Sequence, residues 1–551
     1  MAEISTYDFV IIGSGFGGSV SAMRLTEKGY KVLVLERGKR FHDQDFPRTN
    51  WNIWNYLWAP LIRCFGILQL SLFNGFFVFH SSGVGGGSLV YAGVLMEPDD
   101  SFFDAESWQH LGDWRSILAP HYATARHMLG VARNPNLWPA DEALRAVSNE
   151  IGMGDTFQAT EVGVYFNEDS REVEDPYFGG EGPSRAGCNH CGGCMVGCRY
   201  NSKNTLVKNY LYFAEKWGAR VHSQANVKDI RPLPDGQPDG ARYEVTYRSS
   251  TNLLFKPEHR IRTRNVILSA GVLGTNELLL KCRDENKSLP KISPRLGDTV
   301  RTNSEAFLGG FNRREVVDHS KGLAITSIFQ ADETTRVEPV RFSDGSSLIF
   351  WLISAPFYKP RGKFLKRLGV LLLEILKRPG AFSNIKFTSG LTRRGTALMI
   401  MQTENNLMRL VRGRSLLTLF RRGLVAEHDL EHTVPVNTSL GHKVAERFAE
   451  EIQGEPIGTM LEALFNVPAT AHMLGGCIFG KDETEGVVDL DCQVFNYPGL
   501  YVVDGSIVPA NPGINPSLTI TAMAEYAMER MPPKPGAKVR KPLGPPGALH
   551  D

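Results

Sequence analysis

Residues 8–36 constrain the fold more than any other stretch of the chain. Asp8-Phe9-Val10-Ile11-Ile12 is an uninterrupted apolar run that reads as a buried strand of a parallel sheet. Gly13-Ser14-Gly15-Phe16-Gly17-Gly18 follows at once, residues 19–28 read as a helix ending at Gly29, and residues 31–35 read as a second strand ending at Glu36. Strand, G-x-G-x-x-G, helix, strand, acid is the order of a dinucleotide-binding βαβ unit. Gly13 permits the tight turn, Gly15 lets a pyrophosphate approach bare backbone, and Gly18 lets the helix pack against the strand. The helix N-terminus stabilises the phosphate charge. Glu36 is placed to bind a ribose hydroxyl, and its charge disfavours the 2′-phosphate of NADP. The motif alone fits NAD or FAD.

A chain of 551 residues exceeds one ordinary core, so two or more globular units are expected. It carries 61 basic and 59 acidic residues, a net charge of +2. Without a global basic field, nucleic acid is not an expected partner. Glycine is in excess, at 55 residues. A second cluster, Gly83-Val84-Gly85-Gly86-Gly87-Ser88, offers consecutive bare N–H groups as another anion or flavin cradle. The N-terminus has no basic region followed by an apolar one, so a cytoplasmic protein without a disulfide framework is expected. The apolar stretch 56–79 is broken by Pro60, Arg63, Gln69 and Asn74 and does not read as a membrane span. Residues 363–378 place Phe364, Leu368, Leu371, Leu372 and Ile375 on one helical face. That pattern suits a helix packed on the core, or a surface helix that touches a membrane or covers the entrance for an apolar substrate.

Towards the C-terminus, His472-Met473-Leu474-Gly475-Gly476 precedes a short apolar strand, 500–503, that ends at Asp504. A Pro/Gly-rich loop, 509–516, leads into a helix expected to run from Pro516 and Ser517 to about Arg530. Its N-terminal dipole suits the negative charge of a reduced flavin.

These segments, with Val84-Gly85-Gly86-Gly87-Ser88-Leu89-Val90 and Val266-Ile267-Leu268-Ser269-Ala270-Gly271-Val272-Leu273-Gly274-Thr275, resemble the glucose–methanol–choline (GMC) oxidoreductases. Within that family the chain is most similar to the bacterial cholesterol-oxidase branch, over residues 7 to about 531. The resemblance implies FAD rather than NAD. It implies FAD contacts from Gly13, Gly15, Phe16, Gly17, Gly18, Glu36, Gly85, Gly86, Gly87, Ser88, Val227, Ala270, Gly271, Asp504, Gly505, Asn515 and Pro516. It also implies that His472 and Asn515 face the reactive edge of the flavin as the catalytic pair. Alcohol oxidation sends a hydride to flavin N5 and a hydroxyl proton to a base, and an imidazole suits the proton. An Asn amide suits the substrate oxygen. Sterol oxidases of this branch also use a Glu to move a ring double bond, and no Glu in 340–405 reads as that residue.

Cys188, Cys191, Cys194 and Cys198 are spaced C-x2-C-x2-C-x3-C, the run of bacterial ferredoxins, but with Arg199 where proline is usual. An iron–sulfur cluster is the expectation, with structural zinc or metal-free thiols as alternatives. A cluster would give flavin electrons an exit other than O2.

The expected architecture is α/β (α+β overall), a Rossmann-like FAD-binding domain with a second, sheet-based substrate domain. The FAD-binding domain would be discontinuous over 1–50, 75–100, 200–310 and 466–531. Residues 101–199 would cover the site, 311–465 would form the substrate domain, and 532–551 would be a disordered tail. The expected activity is FAD-dependent oxidation of a bulky hydrophobic alcohol, sterol-like or long-chain. The acceptor would be O2, a quinone or an electron-transfer protein, with peripheral membrane contact. The rival readings are a lyase or photoenzyme of the same fold, and a non-enzymatic electron carrier built on the cysteines.

Overall fold

The computed structural model describes residues 6–541 and 543, apart from 253–254, 313, 315–316, 358–361, 363, 378, 381–382, 384–385, 387–388, 405, 416–417, 419 and 429–438. The first sheet contains β1 (Tyr7–Ile12), β2 (Val32–Leu35), β3 (Arg220–His222), β4 (Ala225–Pro232), β5 (Tyr243–Ser249), β6 (His259–Leu268) and β7 (Leu500–Val502). Its order is β3-β2-β1-β6-β5-β4, with β7 also on β6. β3, β2, β1, β6 and β7 run parallel, and β5 pairs antiparallel with both β6 and β4. All six residues of β1 are buried, as its unbroken apolar run requires.

Three helices flank this sheet: α1 (Phe16–Glu27), α2 (Gly271–Asp284) and α3 (Ser517–Glu529). Every residue of α1 is buried, including two charges. Arg24 meets Glu525 of α3 at 2.7 Å and Glu27 at 3.0 Å, and Tyr210 Oη donates to Glu525 at 2.6 Å. A buried charge is tolerated only when paired in this way, so the network fixes α1 against α3.

The second sheet is built from Ser354–Pro356, Glu455–Thr459, Ala306–Phe311, Gly395–Gln402, Thr335–Val340, Ser327–Gln330 and Gln158–Ala159, in that order. Gly395–Gln402 is buried at all eight positions. Its alternation divides two faces. Leu398 and Ile400 pack against helices Pro139–Glu150 and Ser439–Glu451, while Ala397 and Met399 line a cavity towards the first sheet. The strand Ala306–Phe311 therefore belongs to the second sheet, which moves the expected boundary at 310 to before 306. The covering segment 101–199 also contributes a strand to that sheet, Gln158–Ala159.

The tail expected from residue 532 is docked in its first part. Lys534 N donates to Lys28 O and Arg540 N to Glu27 O, each at 3.0 Å. These are carbonyls at the end of α1 that the helix itself leaves without donors, so the tail supplies them. Residues 544–551 lie outside the described residues.

Candidate active site

A cavity of about 640 Å3 begins at the glycine turn of β1 and runs between the two sheets. Close approaches shape its first half. A Cβ on Gly17 would sit 1.8 Å from Val503 O, and one on Gly86 would sit 2.5 Å from Gly15 Cα. Only bare backbone lets α1 reach β7 and lets the two glycine loops touch. Gly15 and Gly271, by contrast, have nothing within 4 Å of where a Cβ would point.

Glu36 closes this end and is itself buried. It accepts from Ser14 N at 3.1 Å, Ser14 Oγ at 2.7 Å and Gly38 N at 2.7 Å. Asp504 accepts from Gly271 N at 3.0 Å, Thr275 Oγ1 at 2.5 Å and Ser506 N at 2.8 Å. Burial pushes its carboxyl up, and these donors oppose the rise.

Of the residues expected to touch FAD, Gly13, Gly15, Phe16, Gly17, Glu36, Gly86, Gly87, Val227, Ala270, Gly271, Asp504, Gly505, Asn515 and Pro516 line the cavity. Gly18, Gly85 and Ser88 stand behind it. A Cβ on Gly18 would meet Gly13 O at 2.2 Å, and Ser88 Oγ donates to Gly85 O at 2.7 Å while accepting from Leu206 N at 3.0 Å. They hold the cradle rather than face its contents. Bare glycine backbone fronting open space, a buried acid and a helix N-terminus at Pro516–Ser517 together fit a dinucleotide.

In the middle of the cavity His472 Nδ1 lies 2.5 Å from Glu305 Oε1. Its Nε2 lies 3.5 Å from Asn515 Nδ2. Asn515 follows Ile514, whose carbonyl accepts from Asn303 Nδ2 at 2.9 Å. The expected pair, His472 and Asn515, is thus brought together. His80 also lines the cavity, but burial and Arg37 hold its imidazole down at about 3, so it is a poor base near neutrality.

Two carboxylates beside this pair escaped the sequence reading. Glu305 precedes the strand Ala306–Phe311. Glu338 lies within Thr335–Val340, where burial pushes its carboxyl up to about 8, with Asn515 the largest opposing influence. Neither Glu338 oxygen has a hydrogen-bond partner, and Asn515 Oδ1 lacks a donor. A protonated carboxyl is such a donor. The signal was a lone acid in a buried strand, two residues outside the window in which a Glu was sought.

A raised carboxyl has a definite effect on stability. The unfolded chain ionises Glu338 near the ordinary 4.5 and the folded chain near 8. Stability from this residue is therefore complete below 4.5 and falls as pH rises to about 8. In the Glu338→Gln variant, the decline of Tm between pH 5 and 8 should be shallower than in the parent, as read by scanning fluorimetry. Parallel curves would refute the raised carboxyl.

The cysteine run departs from its expectation. Among the described residues no group of three or more His, Cys, Asp or Glu side chains is arranged to hold a metal ion. Cys188, Cys191, Cys194 and Cys198 are free thiols, and Cys188 and Cys194 pack beside Val162, Val164 and Leu323. Burial pushes Cys188 and Cys191 up and Cys194 to about 11. Met195, between them, lines the cavity, and Lys203 Nζ ties Cys194 O to Leu89 O and Tyr91 O. The run thus meets the cavity through Met195.

Comparison with known proteins agrees with this geometry. Residues 11–42 match an NAD(P)-binding Rossmann-like domain, and residues 183–298 and 400–524 match the GMC oxidoreductase family. The chain is 42% identical to a cholesterol oxidase of Acinetobacter baumannii, over 96% of this chain and 95% of the relative. The chain belongs to the GMC oxidoreductase family. It is 40% identical to a cholesterol oxidase of Mycobacterium tuberculosis (strain ATCC 25618 / H37Rv), over 98% of this chain and 93% of the relative. A long-chain-alcohol oxidase of Arabidopsis thaliana, FAO3, is 23% identical over 94% of this chain and 66% of the relative. Pyridoxine 4-oxidase from Mesorbium loti shares the fold, with TM-score 0.58 at 15% identity over 95% of this chain and 99% of the other. This GMC oxidoreductase is an FAD-dependent alcohol oxidoreductase with an α/β fold and a second, sheet-based domain.

Proposed function

We propose that this GMC oxidoreductase oxidises the CH–OH group of a bulky apolar alcohol, sterol-like or long-chain, to the carbonyl. The observation that carries the reading is the continuity of the cavity. From His472 and Asn515 it passes between Val78, Phe79, Phe307, Ile325, Phe342 and Phe350, so an apolar body has a dry wall and one polar end. When bound, FAD supplies the acceptor for the carbon-bound hydride. His472 Nε2 takes the hydroxyl proton, and the Asn515 amide holds the oxygen. The lyase or photoenzyme reading is not favoured, because the relatives that share 40–42% identity over nearly the whole chain are cholesterol oxidases.

Substrate approach from a lipid surface belongs to the same reading. The helix Phe364–Lys377 buries Leu371 and Arg367, and Arg367 donates to Glu462 O at 2.9 Å. The opposite side carries Leu365 and Leu376, 80% and 77% exposed, and Phe465 stacks on Phe364 at 5.7 Å. Of the expected apolar face, Leu371 is buried and Leu368 and Ile375 are half-buried, whereas Phe364 and Leu372 stay exposed, so apolar side chains remain in water. Residues 357–394 carry ten Lys or Arg and one acidic residue, Glu374, in a chain of net charge +2. On the helix itself Lys366 and Lys377 are exposed beside these leucines, and an apolar, basic surface suits an anionic bilayer. Among the described residues no helix is long and apolar enough to cross a membrane.

Mixed anaerobically with a panel of alcohols, the FAD-loaded enzyme should bleach with sterols or long-chain alcohols and not with short polar ones. A flavin that stays oxidised throughout would overturn the reading. The same assay with substrate in anionic vesicles checks the surface. Leu372→Asp with Leu376→Asp should slow bleaching from vesicles about tenfold and leave detergent-delivered substrate unaffected.

A further inference from the structure

We infer that Glu305 is a positioning residue for the base: its carboxylate fixes His472 as the Nδ1–H tautomer, so that Nε2 presents a lone pair to the substrate hydroxyl. The inference rests on the reading of His472 as the proton acceptor.

A neutral imidazole has one donor nitrogen and one acceptor nitrogen, and its neighbours choose between them. Two groups approach Nδ1: Glu305 Oε1 at 2.5 Å and Asn303 Nδ2 at 3.3 Å. An ionised carboxylate only accepts, so Nδ1 carries the proton. The Asn303 amide has a better acceptor in Ile514 O, at 2.9 Å. Nε2 is then the free base, and its polar neighbour is Asn515 Nδ2 at 3.5 Å, a long contact that leaves room for a substrate oxygen.

The surroundings are built to hold Glu305 there. Its side chain has no solvent exposure, and Oε1 also accepts from Ala471 N at 3.2 Å. Oε2 has no hydrogen-bond partner. A buried carboxylate so poorly served costs stability, and the imidazole N–H is the side-chain donor it meets. The preceding residue, Ser304, has φ +50°, a left-handed conformation that a non-glycine residue adopts at a cost. Asn406 clamps that turn, donating from Nδ2 to Thr302 O at 2.9 Å and to Ser304 Oγ at 2.5 Å and accepting from Thr302 N at 2.9 Å. Strain, clamp and burial all turn Glu305 inward, from the edge of the substrate sheet to the loop after Ala469–Thr470. The base is thereby oriented across the junction of the two sheets.

The test is a double-mutant cycle on the FAD-loaded enzyme, read as the rate of anaerobic flavin reduction by an active alcohol and as that alcohol's Kd. Glu305→Gln keeps the shape without the charge, and Glu305→Leu removes the acceptor. Each should slow reduction by about 10–100-fold, with FAD content, Tm and Kd close to the parent's. In a His472→Ala background neither should slow it further, because the effect passes through the imidazole. A reduction rate within threefold of the parent's in both variants overturns the inference. So does an equal loss in the His472→Ala background, or loss of FAD from both variants, which would make Glu305 a scaffold residue. If His472→Ala itself reduces flavin at the parent's rate, the base reading fails. If His472→Ala is slow and the Glu305 variants are fast, only the positioning role fails.

Discussion

His472→Ala is expected to lower the rate of flavin reduction by alcohol by about 10^2–10^4-fold, the usual worth of a positioned general base. FAD should stay bound, because His472 stands in the middle of the cavity and the glycine cradle is built by β1, α1 and the 83–88 loop. The fold should also survive. The imidazole is 12% exposed and already faces the cavity, so its removal opens little buried volume. The measurement is stopped-flow absorbance under anaerobic conditions, with FAD content assayed on the same sample. Asn515→Ala should instead weaken alcohol binding together with the rate, since the amide holds the oxygen before and during the reaction. Full-rate reduction in His472→Ala would leave Glu338 as the remaining base beside Asn515. Its carboxyl, pushed up to about 8, would then impose a rate that climbs with pH through that value.

The legible parts of this fold were those written in local sequence. The βαβ turn, Glu36 and the strand ending at Asp504 depend on residues within one or two elements, and each stands where its spacing put it. His472 and Asn515 were legible because each lies beside glycine or proline punctuation in a pattern. Glu305 and Glu338 were not. Each is a lone acid in strand-forming sequence, and each acquires meaning from a contact with a chain segment more than 160 residues away. The cysteines failed in the opposite way. Their spacing is local and suggestive, but Cys188 and Cys194 pack against Val162, Val164 and Leu323, and among the described residues no metal-holding group forms. The amphipathic helix was legible as a helix and in part in its orientation: Leu371 turns inward with Leu368 and Ile375 half-buried, but Arg367 joins them to reach the carbonyl of Glu462 while Phe364 and Leu372 stay exposed.

Gly17→Ala and Gly15→Ala should have opposite consequences although the glycines are two residues apart. Gly17 is inside α1, where alanine is intrinsically better than glycine by about 1 kcal/mol. Its Cβ would nevertheless lie 1.8 Å from Val503 O, a rigid backbone atom that already accepts from Ser269 Oγ at 2.5 Å. Overpacking of this kind costs about 1–3 kcal/mol or more, so the clash exceeds the propensity gain and α1 must leave β7. Gly17→Ala should therefore lower Tm and soluble yield whether or not FAD is added. Gly15 precedes the helix with φ −72°, which alanine adopts freely, and its Cβ would meet no protein atom. Gly15→Ala should leave the apoprotein's Tm unchanged. Its methyl group would project from the glycine turn, where a pyrophosphate must approach the backbone, so FAD retention should fall at least tenfold. Flavin absorbance after gel filtration, read beside Tm of the apoprotein, separates the two effects. A Gly15→Ala protein that keeps FAD as well as the parent would move the phosphates away from this turn. A Gly17→Ala protein as stable as the parent would mean that the contact between α1 and β7 is looser than 1.8 Å implies.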